Sequence, residues 1–148
     1  MSDHFLDVLG RYQPLPPESE LTSEQIDNFE EARLHFAANQ DDRCVPLLVG
    51  AVNSDSGFGV YQMVEDALRN QSQPVVVSEL SKALQEGKEH HLVWVLEWAA
   101  AFKAFELEGL VASYVSHSSD DVSLNAKLFI NLCREEEGQE IPYPNLFE

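Results

Sequence analysis

One helical pattern recurs three times in this chain. Val60-Tyr-Gln-Met-Val-Glu-Asp-Ala-Leu68 is echoed by Leu92-Val-Trp-Val-Leu-Glu-Trp-Ala-Ala100, and again by Val122-Ser-Leu-Asn-Ala-Lys-Leu-Phe-Ile130, at offsets of 32 and 30 residues. Periods of that size belong to stacked helical units. One unit cannot bury its apolar face alone, and the next copy completes the core.

The segments between these echoes align as well. Cys44, Val77 and Leu107 share one position; Leu47, Leu80 and Leu110 share a second; Ala51, Leu84 and Tyr114 share a third. Two helices alternating at one period predict an all-α fold, a short HEAT- or armadillo-like α-solenoid of about seven helices in antiparallel pairs. A length of 148 residues, 44% of them apolar, suits a single domain with a real core. Its expected parts are a short helix and proline-rich link over 1–21, helical repeats over 22–136, and a capping tail over 137–148.

Local signals place the elements. Phe5, Leu6, Val8 and Leu9 predict a short amphipathic helix within 2–12, ended by Pro14, Pro16 and Pro17. Thr22 and Gln25 form a capping-box pair ahead of Ile26, Phe29, Ala32, Phe36 and Ala37, which share one helical face. Asn39 to Asp42 breaks that helix and caps the next, expected over about 42–52 with Pro46 in its first turn. Asn53 to Gly59 reads as a turn, and a third helix runs to Arg69. Pro74 opens a fourth helix that ends near Gly87. Val75, Val76 and Val77 alone would suit a strand, but Leu80, Ala83 and Leu84 restore a helical period. Further helices are expected over 89–103, 106–117 and 121–136. The apolar tail, with Ile141, Tyr143, Leu146 and Phe147, is expected to lie across the last helix.

The register sorts positions. Glu65, Glu97 and Lys127 are equivalent, and a charge in every copy marks an outward face. Trp94 and Trp98, one turn apart, correspond to Gln62 and Asp66 before them and to Leu124 and Leu128 after them. They read either as core filling or as an exposed aromatic anchor. In the first unit, over 23–53, Arg33 stands where the others have Val64, Leu96 and Ala126. That departure reads as a degenerate end unit with one face toward solvent.

There are 26 Asp and Glu against 9 Lys and Arg, a net charge of −17. Such a chain is repelled by nucleic acid and by anionic membranes, so direct binding to either is not expected. Asp41, Asp42, Glu79, Glu86, Glu106 and Glu108 belong to the second helix of each unit or its lead-in. With Glu65, Asp66 and Glu97 they are candidates for an acidic partner-binding surface. Cys44 and Cys133 read as buried free thiols of a reducing cytoplasm, and neither a signal peptide nor a membrane span is expected.

Catalytic patterns are missing from the sequence. His90 and His91 are adjacent and diverge on a helix, and no HExxH or cysteine cluster is present. Gly57-Phe-Gly59 lacks a preceding strand and a third glycine. The expectation is a non-enzyme without metal or cofactor.

Helix pairs, small size and acidity together resemble the all-α immunity proteins of bacterial polymorphic-toxin and contact-dependent growth-inhibition systems. The resemblance covers roughly 23–136, with Leu92-Val-Trp-Val-Leu-Glu-Trp-Ala-Ala-Ala-Phe102 and Asn125-Ala-Lys-Leu-Phe-Ile130 as its most similar segments. It implies tight binding of a cognate toxin domain, a basic nuclease in keeping with this charge. The second expectation is a HEAT-like scaffold or adaptor whose acidity serves solubility. A third is a small-molecule pocket near Trp94 and Trp98.

Overall fold

A computed structural model of the chain describes residues 2–53, 55, 57 and 59–147. Met1, Glu148 and part of the expected Asn53–Gly59 turn (Ser54, Ser56 and Phe58) lie outside the described residues. The described residues form eight α-helices and no strand, so the fold is all-α. The helices are α1 (Ser2–Gly10), α2 (Ser23–Ala38), α3 (Cys44–Ala51), α4 (Val64–Arg69), α5 (Gln73–Glu86), α6 (Glu89–Ala101), α7 (Glu108–Ala112) and α8 (Asp120–Glu136). The chain gathers into two compact units, Met1–Glu79 and Leu80–Glu148.

In the first unit α2 packs on α1 and α4, and α3 packs on α1. Thr22 caps α2: its hydroxyl accepts from the Gln25 N–H at 3.2 Å, and the Gln25 side chain accepts from the Thr22 N–H at 2.9 Å. Phe29, Ala32 and Phe36 then fall on one buried face. The proline-rich link is tied down by backbone groups, since its residues cannot pair as a helix. The Leu15 N–H donates to the Ala51 carbonyl at 2.8 Å, and Asn53 Nδ2 donates to the Leu15 carbonyl at 2.8 Å.

Arg33 corrects the reading of a solvent-facing end unit. It is 2% exposed, as buried as its equivalents Val64, Leu96 and Ala126. Its guanidinium meets the Glu30 carboxylate at 2.6 and 3.0 Å and donates to the Met63 carbonyl at 3.3 Å. The register therefore holds at this position, and an ion pair replaces the aliphatic side chain.

In the second unit α6 and α7 pack on α8. The stripe defined by the echoes is buried throughout: Leu96, Ala99, Ala126 and Phe129 here, and Val64 and Ala67 in the first unit. Gly87 ends α5 at a φ of +65°, a conformation glycine adopts without a Cβ penalty. A Cβ there would also come within 3.1 Å of the Tyr114 hydroxyl, which donates to the Leu84 carbonyl in the last turn of α5.

The helix expected over 106–117 is much shorter. A 3-10 turn over Phe105–Leu107 leads into α7, and the segment after Ala112 is turn. The Ser113 hydroxyl bonds the Leu110 carbonyl at 2.7 Å, and the Tyr114 N–H reaches Val111 at 2.9 Å, an i to i−3 pattern that tightens the chain out of the α-helix. Ser119 caps α8 through the Val122 N–H. The tail meets α8 through Asn131. Asn131 Nδ2 donates to the Tyr143 carbonyl at 2.9 Å, and its Oδ1 accepts from the Tyr143 N–H at 3.0 Å. Lys127 Nζ stands 5.7 Å from the centre of the Tyr143 ring. Phe147, also expected to pack, is 80% exposed.

Candidate protein-binding surface

Several acids proposed for a partner are engaged inside the chain. Asp41 accepts from Arg43 Nε at 2.9 Å and Nη2 at 2.6 Å, which holds its carboxyl below the ordinary aspartate range. Asp42 does not cap α3, whose N-cap Arg43 makes no side-chain cap bond. It instead accepts from the Ser72 N–H at 2.9 Å, just before α5, and this bond lowers its pKa as well. Glu65 pairs with Arg69 at 2.9 Å and Glu86 with Lys88 at 3.5 Å. Glu108 forms an ion pair with Arg134.

Gln71 organises the same end of the first unit. It is 6% exposed. Its Nε2 donates to the carbonyls of Phe36 and Ala67, both at 3.0 Å, and its Oε1 accepts from the Asp41 N–H at 2.8 Å. One amide thus joins the ends of α2 and α4 to the lead-in of α3. Asp41 and Asp42 belong to this structural knot, a role the charge pattern alone does not reveal. Asp42 and Glu79 also line an open hollow of about 550 Å³ with Arg43, Pro46, Pro74, Val75 and Ser78. Arg43 places a cation in it.

Of the remaining candidates, Asp66, Glu97 and Glu106 are exposed. Trp98 is 2% exposed and part of the core, which removes it as an aromatic anchor. Trp94 is half-buried, its ring centre 6.3 Å from that of Trp98. Glu97 is the candidate that reaches a concave surface of the second unit. It lines a trough of about 330 Å³ between α6 and α8 with Ala100, Asn125, Leu128, Asn131, Leu132 and Glu135. Leu132 is 39% exposed.

Most of this trough escaped the sequence reading. The signal is a second apolar stripe on α8: Leu124, Leu128 and Leu132 recur at i, i+4 and i+8, offset from the core stripe of Val122, Ala126, Phe129 and Cys133. A helix with two stripes has more apolar surface than one neighbour covers.

The cysteines are free and buried. Burial pushes the Cys44 thiol up to about 12 and Cys133 to about 11, far from a reactive thiolate. His117 Nδ1 accepts from the Ser119 N–H at 3.0 Å, so Nε2 carries the proton facing Glu89 at 3.3 Å, a capping role. Among the described residues no group of three or more His, Cys, Asp or Glu is placed to hold a metal ion. No helix among them is long and apolar enough to cross a membrane. Comparison with known proteins gives no identity: no protein-family model, no curated protein and no solved structure matches the chain.

Proposed function

We propose that this chain is a cytoplasmic binding protein without catalytic activity. It acts as an immunity protein that seats a basic, nuclease-type toxin domain on its acidic helical surface and blocks it. The observation that carries this reading is the carboxylate excess. With 26 carboxylates and 9 Lys and Arg, one-to-one pairing still leaves 17 carboxylates without a cationic partner. Self-repulsion on that scale destabilises a small fold, and a basic partner relieves it while being steered to the surface. Asp66, Glu97 and Glu106 project from helices or helix ends, where a partner can reach them.

The finer fold reading, a short HEAT-like array of helix pairs, belongs to the same proposal. It is supported by the buried positions that recur with the sequence period, including Arg33 in the first copy.

Co-expression tests the function. Cells making the toxin C-terminal domain encoded beside this gene should survive only when this chain is present, and toxin that stays lethal overturns the reading. Purified partners should also associate at least about tenfold more slowly near 1 M salt, where screening falls to ~3 Å. Salt-independent association favours a scaffold whose acidity serves solubility.

A further inference from the structure

The α6–α8 trough has a shape and lining that select an occupant. Its α8 wall runs from Asn125 to Glu135, about 15 Å along the helix. The opposite wall carries Glu97 and Ala100, one turn apart on α6. Asn125 Nδ2 donates to the Asp121 carbonyl at 2.8 Å, and both polar atoms of Asn131 are taken by Tyr143. The trough therefore offers a ligand an apolar floor and a carboxylate on each wall, with few other polar groups. No Lys or Arg is among its lining residues.

Building on the immunity reading, we infer that this trough seats a basic amphipathic helix of the partner. Its apolar ridge lies on Leu128, Leu132 and Ala100, and its lysines or arginines meet Glu97 on one side and Glu135 on the other. The elongated form suits a helix, whose anchors recur at i, i+3 or i+4, and i+7. Charge decides between a basic helix and a second copy of this chain. A second copy brings a net charge of −17 to two acidic walls and is repelled. A lysine-flanked ridge buries the exposed Leu132 and brings opposite charge to the two exposed acidic positions, Glu97 and Glu135.

The test titrates the full methyl-labelled chain with a short synthetic helix of leucine and lysine. Shifts are expected at the Leu128, Leu132 and Ala100 methyls. Leu132→Glu and Glu135→Lys should each weaken binding by about tenfold or more. Both positions are exposed, so both variants fold, and their circular dichroism should match the parent. A probe with alanine in place of leucine should lose these shifts, and one with glutamate in place of lysine should not bind. Shifts spread over other acidic faces, or unchanged affinity in both variants, overturn the inference, as does concentration-dependent self-association through these methyls. The two readings fail separately. A cognate toxin still neutralised by Leu132→Glu overturns the trough alone. A toxin that the parent chain never restrains overturns the immunity reading, and the titration still decides the trough.

Discussion

Glu30 and Arg33 form a two-pronged ion pair in which the arginine side chain is 3% exposed and the glutamate side chain 29%. The pair fills a position that is aliphatic in the other copies. Arg33→Ala should therefore cost about 3 kcal/mol, because it removes a buried partner and leaves a void. Arg33→Leu, which restores the residue type of the repeat, should lose about 1 kcal/mol or less, since Glu30 reaches water. Urea denaturation midpoints check the order. Equal losses in both variants would mean that the charge itself matters, not the filled volume.

Gln71 makes three hydrogen bonds from one buried amide. Gln71→Leu should cost about 3 kcal/mol, since it orphans the Asp41 N–H and weakens two helix-end carbonyl contacts. Hydrogen exchange should quicken at Asp41 in particular, and a variant with unchanged exchange there would refute the knot.

Helix positions were legible where the apolar period was long. The three-copy register identified a buried stripe that Val64, Leu96, Ala126 and Arg33 all occupy. It also set Glu97 outside. The register reports burial, though, and not chemistry, so Arg33 looked like a break in the pattern. The end of α7 was hidden because Ser113 competes for the helix carbonyls through its side chain, which periodicity does not register. The acids illustrate a different gap. Asp41 and Asp42 look like any surface pair until Gln71 and Ser72, 30 residues away, are folded against them. The trough went unseen because it belongs to a helix pair, and the chain shows only one wall at a time.

Acid pH should act through Asp41 and Asp42. Their folded pKa values lie below the ordinary 3.8, held down first by the Arg43 side chain and by the Ser72 N–H respectively. A depressed carboxylate contributes stability that is present above the unfolded pKa and lost as pH falls through the folded value. A variant carrying Asp41→Asn and Asp42→Asn should thus show a shallower loss of stability from about pH 5 to about pH 2. Parallel curves for parent and variant would refute the assignment.

Both thiols should be silent in the folded chain. Burial raises Cys44 from 9.0 to about 12 and Cys133 to about 11. A raised thiol pKa stabilises the fold below the unfolded value, and that contribution fades as pH climbs toward the folded one. A thiol reagent at about pH 8 should label neither cysteine until denaturant is added, and mass spectrometry reads the outcome. Rapid native labelling of either would contradict its burial.

Asn131→Ala should free the tail without unfolding α8. The loss should be about 1–2 kcal/mol, with proteolysis confined to the residues after Gly138. Asn131→Asp keeps the acceptor but loses the donor, and should fall between the two.

The Asn131 clasp grips only main chain at Tyr143, both its N–H and its carbonyl. Main chain is common to every residue except proline, which lacks the donor. The hydrogen-bonding demand of this attachment therefore falls on position 131, and the side chain at position 143 answers to a separate contact, the Lys127 ammonium over its ring. A different side chain at position 143 would give up the Lys127 contact and keep the clasp, so the tail can change its letters at that point and still follow the same path along the helix.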